Sequence, residues 1–200
     1  LSSFFIAIPG GMKNICGVTL IELMVAVALA AILLTVALPS YKTVIENNSL
    51  STNLNTLVSS LNFARSEGVK RGKRVTLCKS DDGNDCGGAG YEAGWIVFVE
   101  EGTTNYGVRQ VGTEELIRVQ DGLKAGYTLR GNNNFANFIS FLPSGGATNI
   151  GRFVLCKDSD LKKSRAIFII RTGRVRLAPD NDGDLIPEDE DGINITTCTP

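Results

Sequence analysis

Residues 18–38 read VTLIELMVAVALAAILLTVAL, with Thr19, Glu22 and Thr35 as the only polar side chains. At 1.5 Å per residue, a helix of this length is about 31 Å long, close to the hydrocarbon thickness of a bilayer. A secretory signal has an apolar stretch of roughly 7–15 residues before a small-residue cleavage site. Ala28-Leu29-Ala30 offers such a site, but the apolar run continues past it and carries a carboxylate near its front. The run therefore reads as a retained anchor. Glu22 is its most informative residue, because an ionised carboxylate in an apolar helix is costly and marks a functional position by default. The plainer alternative is that Glu22, four residues into the run, sits near the membrane surface and reaches water.

On the upstream side, Met12-Lys13-Asn14-Ile15-Cys16-Gly17 forms a short leader with one positive charge and a glycine directly before the apolar run. Residues 17–24, GVTLIELM, closely resemble the class III signal of type IV pilins and type II secretion pseudopilins. The resemblance implies that a prepilin peptidase cuts between Gly17 and Val18 and methylates the new amine. It also implies that Glu22, fifth in the mature chain, is the family's assembly glutamate, paired with the N-terminal ammonium of an adjacent subunit. Such pairing would offset the penalty on an unpaired buried charge. Val18 departs from the family's usual phenylalanine. Residues 1–17 are thus expected to be the leader. The apolar stretch LSSFFIAIPGG at 1–11 is read as upstream translation, with Met12 as the start; a longer leader is the alternative.

Downstream, Pro39 follows the apolar run and is expected to kink the helix by removing one hydrogen bond. Leu50, Leu54, Leu57, Val58, Leu61 and Ala64 then recur at three- and four-residue steps, which makes one apolar helical face. An amphipathic helix over 39–72 follows, with Gly68 and Gly72 near its end. Beyond it the pattern changes to short β-prone runs between Gly-, Asn- and Asp-rich spacers. Strands are expected near 74–79, 95–99, 115–119, 127–130, 138–142, 152–156, 166–171 and 174–178. Short strands in series suggest antiparallel sheets. The fold class is α+β: a long N-terminal helix, transmembrane over 18–38 and then amphipathic, packed on a β-sandwich-like head over 73–200 with an acidic C-terminal tail. Three further stretches are similar to the GspH/FimT/FimU minor pilin group: LNFARSEGVKRGKRVTLC at 61–78, FLPSGG at 141–146 and RAIFIIRTGRVRLA at 165–178.

Composition narrows the function. The chain has 200 residues and no histidine, which removes Ser-His-Asp and Cys-His nucleophiles and every His-ligated metal site. It has no CxxC, phosphate loop or GxGxxG either, so an enzyme is not expected. Of five cysteines, Cys16 belongs to the leader. Cys78, Cys86, Cys156 and Cys198 remain, an even set suited to an oxidising compartment, with three possible pairings. The favoured one joins Cys78 to Cys86 across a Gly-rich loop and Cys156 to Cys198, tethering the tail; buried free thiols are the alternative. Paired cysteines are commoner in the family's pilus members than in its secretion members.

Two charged segments stand apart. Residues 180–191, DNDGDLIPEDED, hold seven of the 21 acidic groups, and the 14 that remain face 20 basic ones. Asp180, Asp182 and Asp184 alternate as in the first half of a calcium loop, with Glu188 and Asp191 at its ninth and twelfth positions. Leu185 stands where that loop carries glycine, so a solvated acidic loop is the competing reading. The second segment is Arg171-Thr172-Gly173-Arg174-Val175-Arg176, a strand-turn-strand pattern whose three arginines could clamp phosphates. Its Gly-Arg-Val-Arg is similar to the GRxR motif of FimT proteins that bind DNA in natural transformation. The competing reading is a contact with a neighbouring subunit, favoured by the nearby acidic run. The expected role is a minor pilin or pseudopilin in the inner membrane, head in the periplasm. It would prime or cap a type IV pilus with other minor and major pilins; a type II secretion pseudopilin of the H type and a DNA receptor are the alternatives.

Overall fold

The structure is a computed structural model; it describes residues 17–102, 105–189 and 191–199, without the side chains of residues 36–40. The expected leader over 1–16, with Met12 and Cys16, lies outside the described residues, as do the side chains of Pro39 and of the last three positions of the 18–38 run. Two compact units divide between Val44 and Ile45.

Helix α1 spans Leu20–Arg71 and takes in both the apolar run and the amphipathic stretch, as one long helix. A proline removes one hydrogen bond from a helix without obliging it to end. In the second unit, Leu50, Leu54, Leu57, Leu61 and Ala64 are buried and Val58 is half-buried. Lys70 and Arg71 occupy the last turn, where positive charge complements the helix dipole. Gly72 then takes φ +63°, the left-handed conformation that closes a helix C-terminus at low cost for glycine.

Eight strands follow among the described residues: β1 (Val75–Lys79), β2 (Gly94–Val99), β3 (Leu116–Asp121), β4 (Tyr127–Gly131), β5 (Phe138–Phe141), β6 (Gly151–Lys157), β7 (Asp160–Ile169) and β8 (Val175–Leu177). They form two antiparallel four-stranded sheets, in the orders β3-β2-β1-β5 and β4-β6-β7-β8. Each expected strand has a counterpart, but β7 begins six residues before position 166. Residues 160–165, DLKKSR, lack apolar alternation, so propensity gives no hint of them. What extends β7 is its pairing with β6 through a turn at Asp158 and Ser159, with φ of 54° and 58°. Such turns favour Asn-Gly or Asp-Gly, and here Ser159 stands in the glycine place, so the sequence carries only half of the hairpin signal.

Alternation sorts each strand onto two faces. Val75, Leu77, Trp95, Val97, Val99, Ile139 and Phe141 of the first sheet join the helix stripe in one core. Leu129, Phe153, Leu155, Ile167 and Ile169 of the second sheet join the same core. Tyr91 fills it further, with its ring edge-on to Phe153 at 5.0 Å and its hydroxyl donating to the Phe135 carbonyl at 2.9 Å. Complete burial pushes the Tyr91 phenol far above its ordinary pKa.

The opposite faces are covered as well, and each cover includes a disulfide. On the first sheet, Cys78 lies beside Ile96 and Phe98 and is bonded to Cys86, with the Cα atoms 5.6 Å apart. On the second, Cys156 lies with Val154, Ala166, Phe168 and Ala178 and is bonded to Cys198, which comes over that face together with Ile195.

Leu57→Ala should destabilise the protein by about 2–5 kcal/mol in denaturant melts of the full chain in detergent, since it leaves a cavity at a fully buried position. A loss below 1 kcal/mol would place Leu57 outside the core. The two bridges should rank by loop length. Replacing Cys156 and Cys198 by serine opens a separation of 42 residues and should cost about 4 kcal/mol on the chain-entropy account. Replacing Cys78 and Cys86 opens a separation of 8 and should cost about 2.5 kcal/mol. Equal losses would show that local packing, not loop closure, sets the contribution.

Candidate functional site

The N-terminal end of α1 is built around Thr19. Its hydroxyl accepts the backbone N–H of Glu22 at 3.3 Å, and its carbonyl accepts that of Leu23 at 3.1 Å. Thr19 is thus the N-cap and Glu22 the third helical residue, the spacing of a capping box. A carboxylate there is also favoured by the helix dipole. The sequence shows this Thr-x-x-Glu pattern, but the apolar run draws attention away from it. Residues 17–35 are exposed, including Val18 at 70% and Leu20 at 77%. Thr35 returns its hydroxyl to the Ile32 carbonyl at 2.7 Å, so it places no open polar group on this surface. Among the described residues no helix is long and apolar enough to cross a membrane. The side chains that close the apolar run, 36–38, fall outside that set.

The Arg171–Arg176 segment is a turn leading into β8. The Gly173 N–H donates to the Ile170 carbonyl at 2.8 Å and the Ile170 N–H to the Arg174 carbonyl at 3.2 Å. Gly173 has φ +75°, and a Cβ there would stand 2.2 Å from the Gly145 carbonyl oxygen. Only glycine fits. Arg65 of α1 donates its Nε to that same carbonyl at 2.8 Å. The three stretches at 61–78, 141–146 and 165–178 therefore meet at one place, a junction that no single stretch discloses. Arg171, Arg174 and Arg176 are exposed and form no ion pair among the described residues. Arg176 is paired with Phe168 across the sheet and so shares its outer side.

The acidic run is engaged with its own backbone. Asp180 accepts from Gly183 and Leu185, Asp182 from Asp184, and Asp184 from Ile186 and the Asn194 side chain. Glu188 is buried and accepts from Asn181 and Asp182 through Oε1. Asp180, Asp182 and Glu188 come together, whereas Asp184 and Asp191 stand outside the group. Asp191 borders a separate recess with Asp189 and Arg152. Asp189, given no role by the sequence pattern, holds the next turn by accepting from Ile193 and Asp191, each at 3.0 Å. Those N–H groups, with the Arg152 guanidinium 3.5 Å away, keep its carboxyl below the usual range.

Solved structures with this arrangement include the type IV minor pilin FimU of Pseudomonas aeruginosa, with a TM-score of 0.55 at 18% identity over 76% of this chain and 97% of that one. A second crystal form of FimU gives 0.53 at 17%, over 74% and 99%. The minor pseudopilin EpsH of the Vibrio cholerae type 2 secretion system gives 0.42 at 12%, over 64% and 95%. At these identities the likeness to FimU is one of fold, and that to EpsH carries no argument. No curated protein matches. The prokaryotic N-terminal methylation motif matches residues 12–38. The family described as type II transport protein GspH matches residues 53–173, from the apolar stripe of α1 to the turn that Gly173 completes. A match over more than half the chain settles the matter: this protein belongs to the GspH family of minor pilins and pseudopilins.

Proposed function

We propose that this protein is an assembly subunit that primes or caps a type IV pilus. Residues 1–17 are the leader, removed between Gly17 and Val18 by a prepilin peptidase that then methylates the new amine. Residues 18–38 anchor the mature chain in the inner membrane, residues 39–72 lead into the periplasm, and residues 73–200 form the head. Other minor and major pilins are the partners. The observation that carries this reading is the exposed apolar surface of residues 18–35 with Glu22 in its first turn. So large an apolar surface needs a cover, and a bilayer and then the apolar helices of neighbouring subunits supply one. The methylation-motif match over the same residues supports it. The alternative setting is a type II secretion pseudopilus, to which the GspH description belongs.

The mature protein should begin at Val18 by mass spectrometry, and a chain beginning after Ala30 would sink this reading. Glu22→Ala should insert normally, because it removes a cost of burial, while surface pili fall by tenfold or more. Normal pilus numbers would remove Glu22 from assembly.

A second reading is favoured by the exposed arginines at 171, 174 and 176, which form no ion pair among the described residues. Together they can neutralise phosphates of DNA without reading its sequence. Each phosphate contact adds about 0.9 to the log–log salt slope of duplex binding, so three give a slope near −2.7. Arg174→Gln with Arg176→Gln should bring the slope near −0.9 and abolish uptake, with piliation intact. Loss of piliation and uptake together would make the turn a subunit contact instead.

A further inference from the structure

One oxygen from each of Asp180, Asp182 and Glu188 lies within 4.8 Å of the others. Calcium holds its oxygens at about 2.3–2.6 Å, so two ligands of one ion are at most about 5 Å apart. The spacing admits a shared ion, but acidic groups crowd many surfaces without one. Glu188 separates this cluster from such surfaces. Its residue is 3% exposed, and its Oε2 is buried with no hydrogen-bond partner. An ionised oxygen in that position is strongly disfavoured unless a cation compensates it. Among the described residues no lysine or arginine forms an ion pair with Glu188: Arg152 is paired with Asp189, and Arg165, which lines a recess with Asp180, donates to the Ser164 carbonyl.

We propose that Asp180, Asp182 and Glu188 bind a calcium ion. All the donors are hard oxygens, the chain has no histidine, and Cys78, Cys86, Cys156 and Cys198 are bonded in pairs, so softer metals find no ligands here. Calcium accepts irregular coordination and completes its shell with water, whereas magnesium demands near-octahedral geometry. The ligand atoms that accept backbone N–H groups retain a second lone pair for the metal. With three carboxylates, two of them exposed, affinity belongs in the ~10⁻⁴–10⁻³ M range of extracellular modules. The site has a structural consequence. The Glu188 N–H donates to the Pro179 carbonyl, and Glu188 bridges to Asn194. Bound calcium would therefore fasten residues 179–194 next to Ile195 and Cys198, which cover the outer face of the second sheet.

The test titrates calcium chloride into the full chain in detergent, by calorimetry and by thermal melting against a chelator. At ten times Kd, calcium should raise the melting temperature by about 3–6 °C. Asp182→Asn keeps the side-chain shape and should weaken binding at least tenfold, and Asp191→Asn should leave it unchanged. Glu188→Gln should also lose the response; if that variant is poorly folded, Asp182→Asn decides alone. Three results would overturn the proposal: no heat and identical melts with calcium and chelator, an equal response to magnesium, or an undiminished response in Asp182→Asn.

Discussion

The apolar face of α1 from Leu50 to Ala64 is the constraint on which the head depends. Two antiparallel sheets each present one apolar face, and each must remove it from water. Here the stripe Leu50, Leu54, Leu57, Leu61 and Ala64 enters a core that also takes in Val97 and Ile139 from one sheet and Leu155 and Ile167 from the other. Because the helix supplies part of the core, the second unit begins inside α1, at Ile45. The junction of Arg65, Gly145 and Gly173 extends the same logic to the loops. A helix cation holds the carbonyl that only a glycine can approach, and this fixes where β8 starts.

The first unit follows a different rule. Over residues 17–35 the apolar side chains face outward, and two polar groups are satisfied within the helix: the Thr35 hydroxyl by the Ile32 carbonyl, and the Glu22 N–H by Thr19. This is how a helix is made compatible with an apolar surrounding, where an open polar group has no water to turn to. Glu22 remains the exception, a charge placed where the helix dipole favours it and where a neighbour's ammonium could reach it.

Beyond the core, the molecule is secured by covers on the outer faces of the sheets. Cys78 and Cys156 point away from the helix, as alternation requires, and their partners Cys86 and Cys198 draw a loop and the tail over those faces. Of the large apolar side chains in the C-terminal segment, Ile195 joins the outer cover, whereas Leu185 and Ile193 are exposed. The order of the segment rests on the bridge at one end, on carboxylate-to-backbone bonds along its length and, in the proposed reading, on a metal at Glu188.

The sequence by itself determined the helix, its buried stripe, the eight strands and the family, because period and turn chemistry are local properties. The 18–38 run and the Leu50–Ala64 stripe are legible without any partner. Tertiary structure decided what depends on distant atoms. The first six residues of β7 are strand only because β6 lies beside them across the Asp158–Ser159 turn. Gly173 is obligatory only because Gly145 approaches it. Five carboxylates at calcium-loop spacing became a group of three, because Asp184 turned to Asn194 and Asp191 came to border the Arg152 recess. Spacing sets which residues can meet, but burial and competing hydrogen bonds decide which of them do.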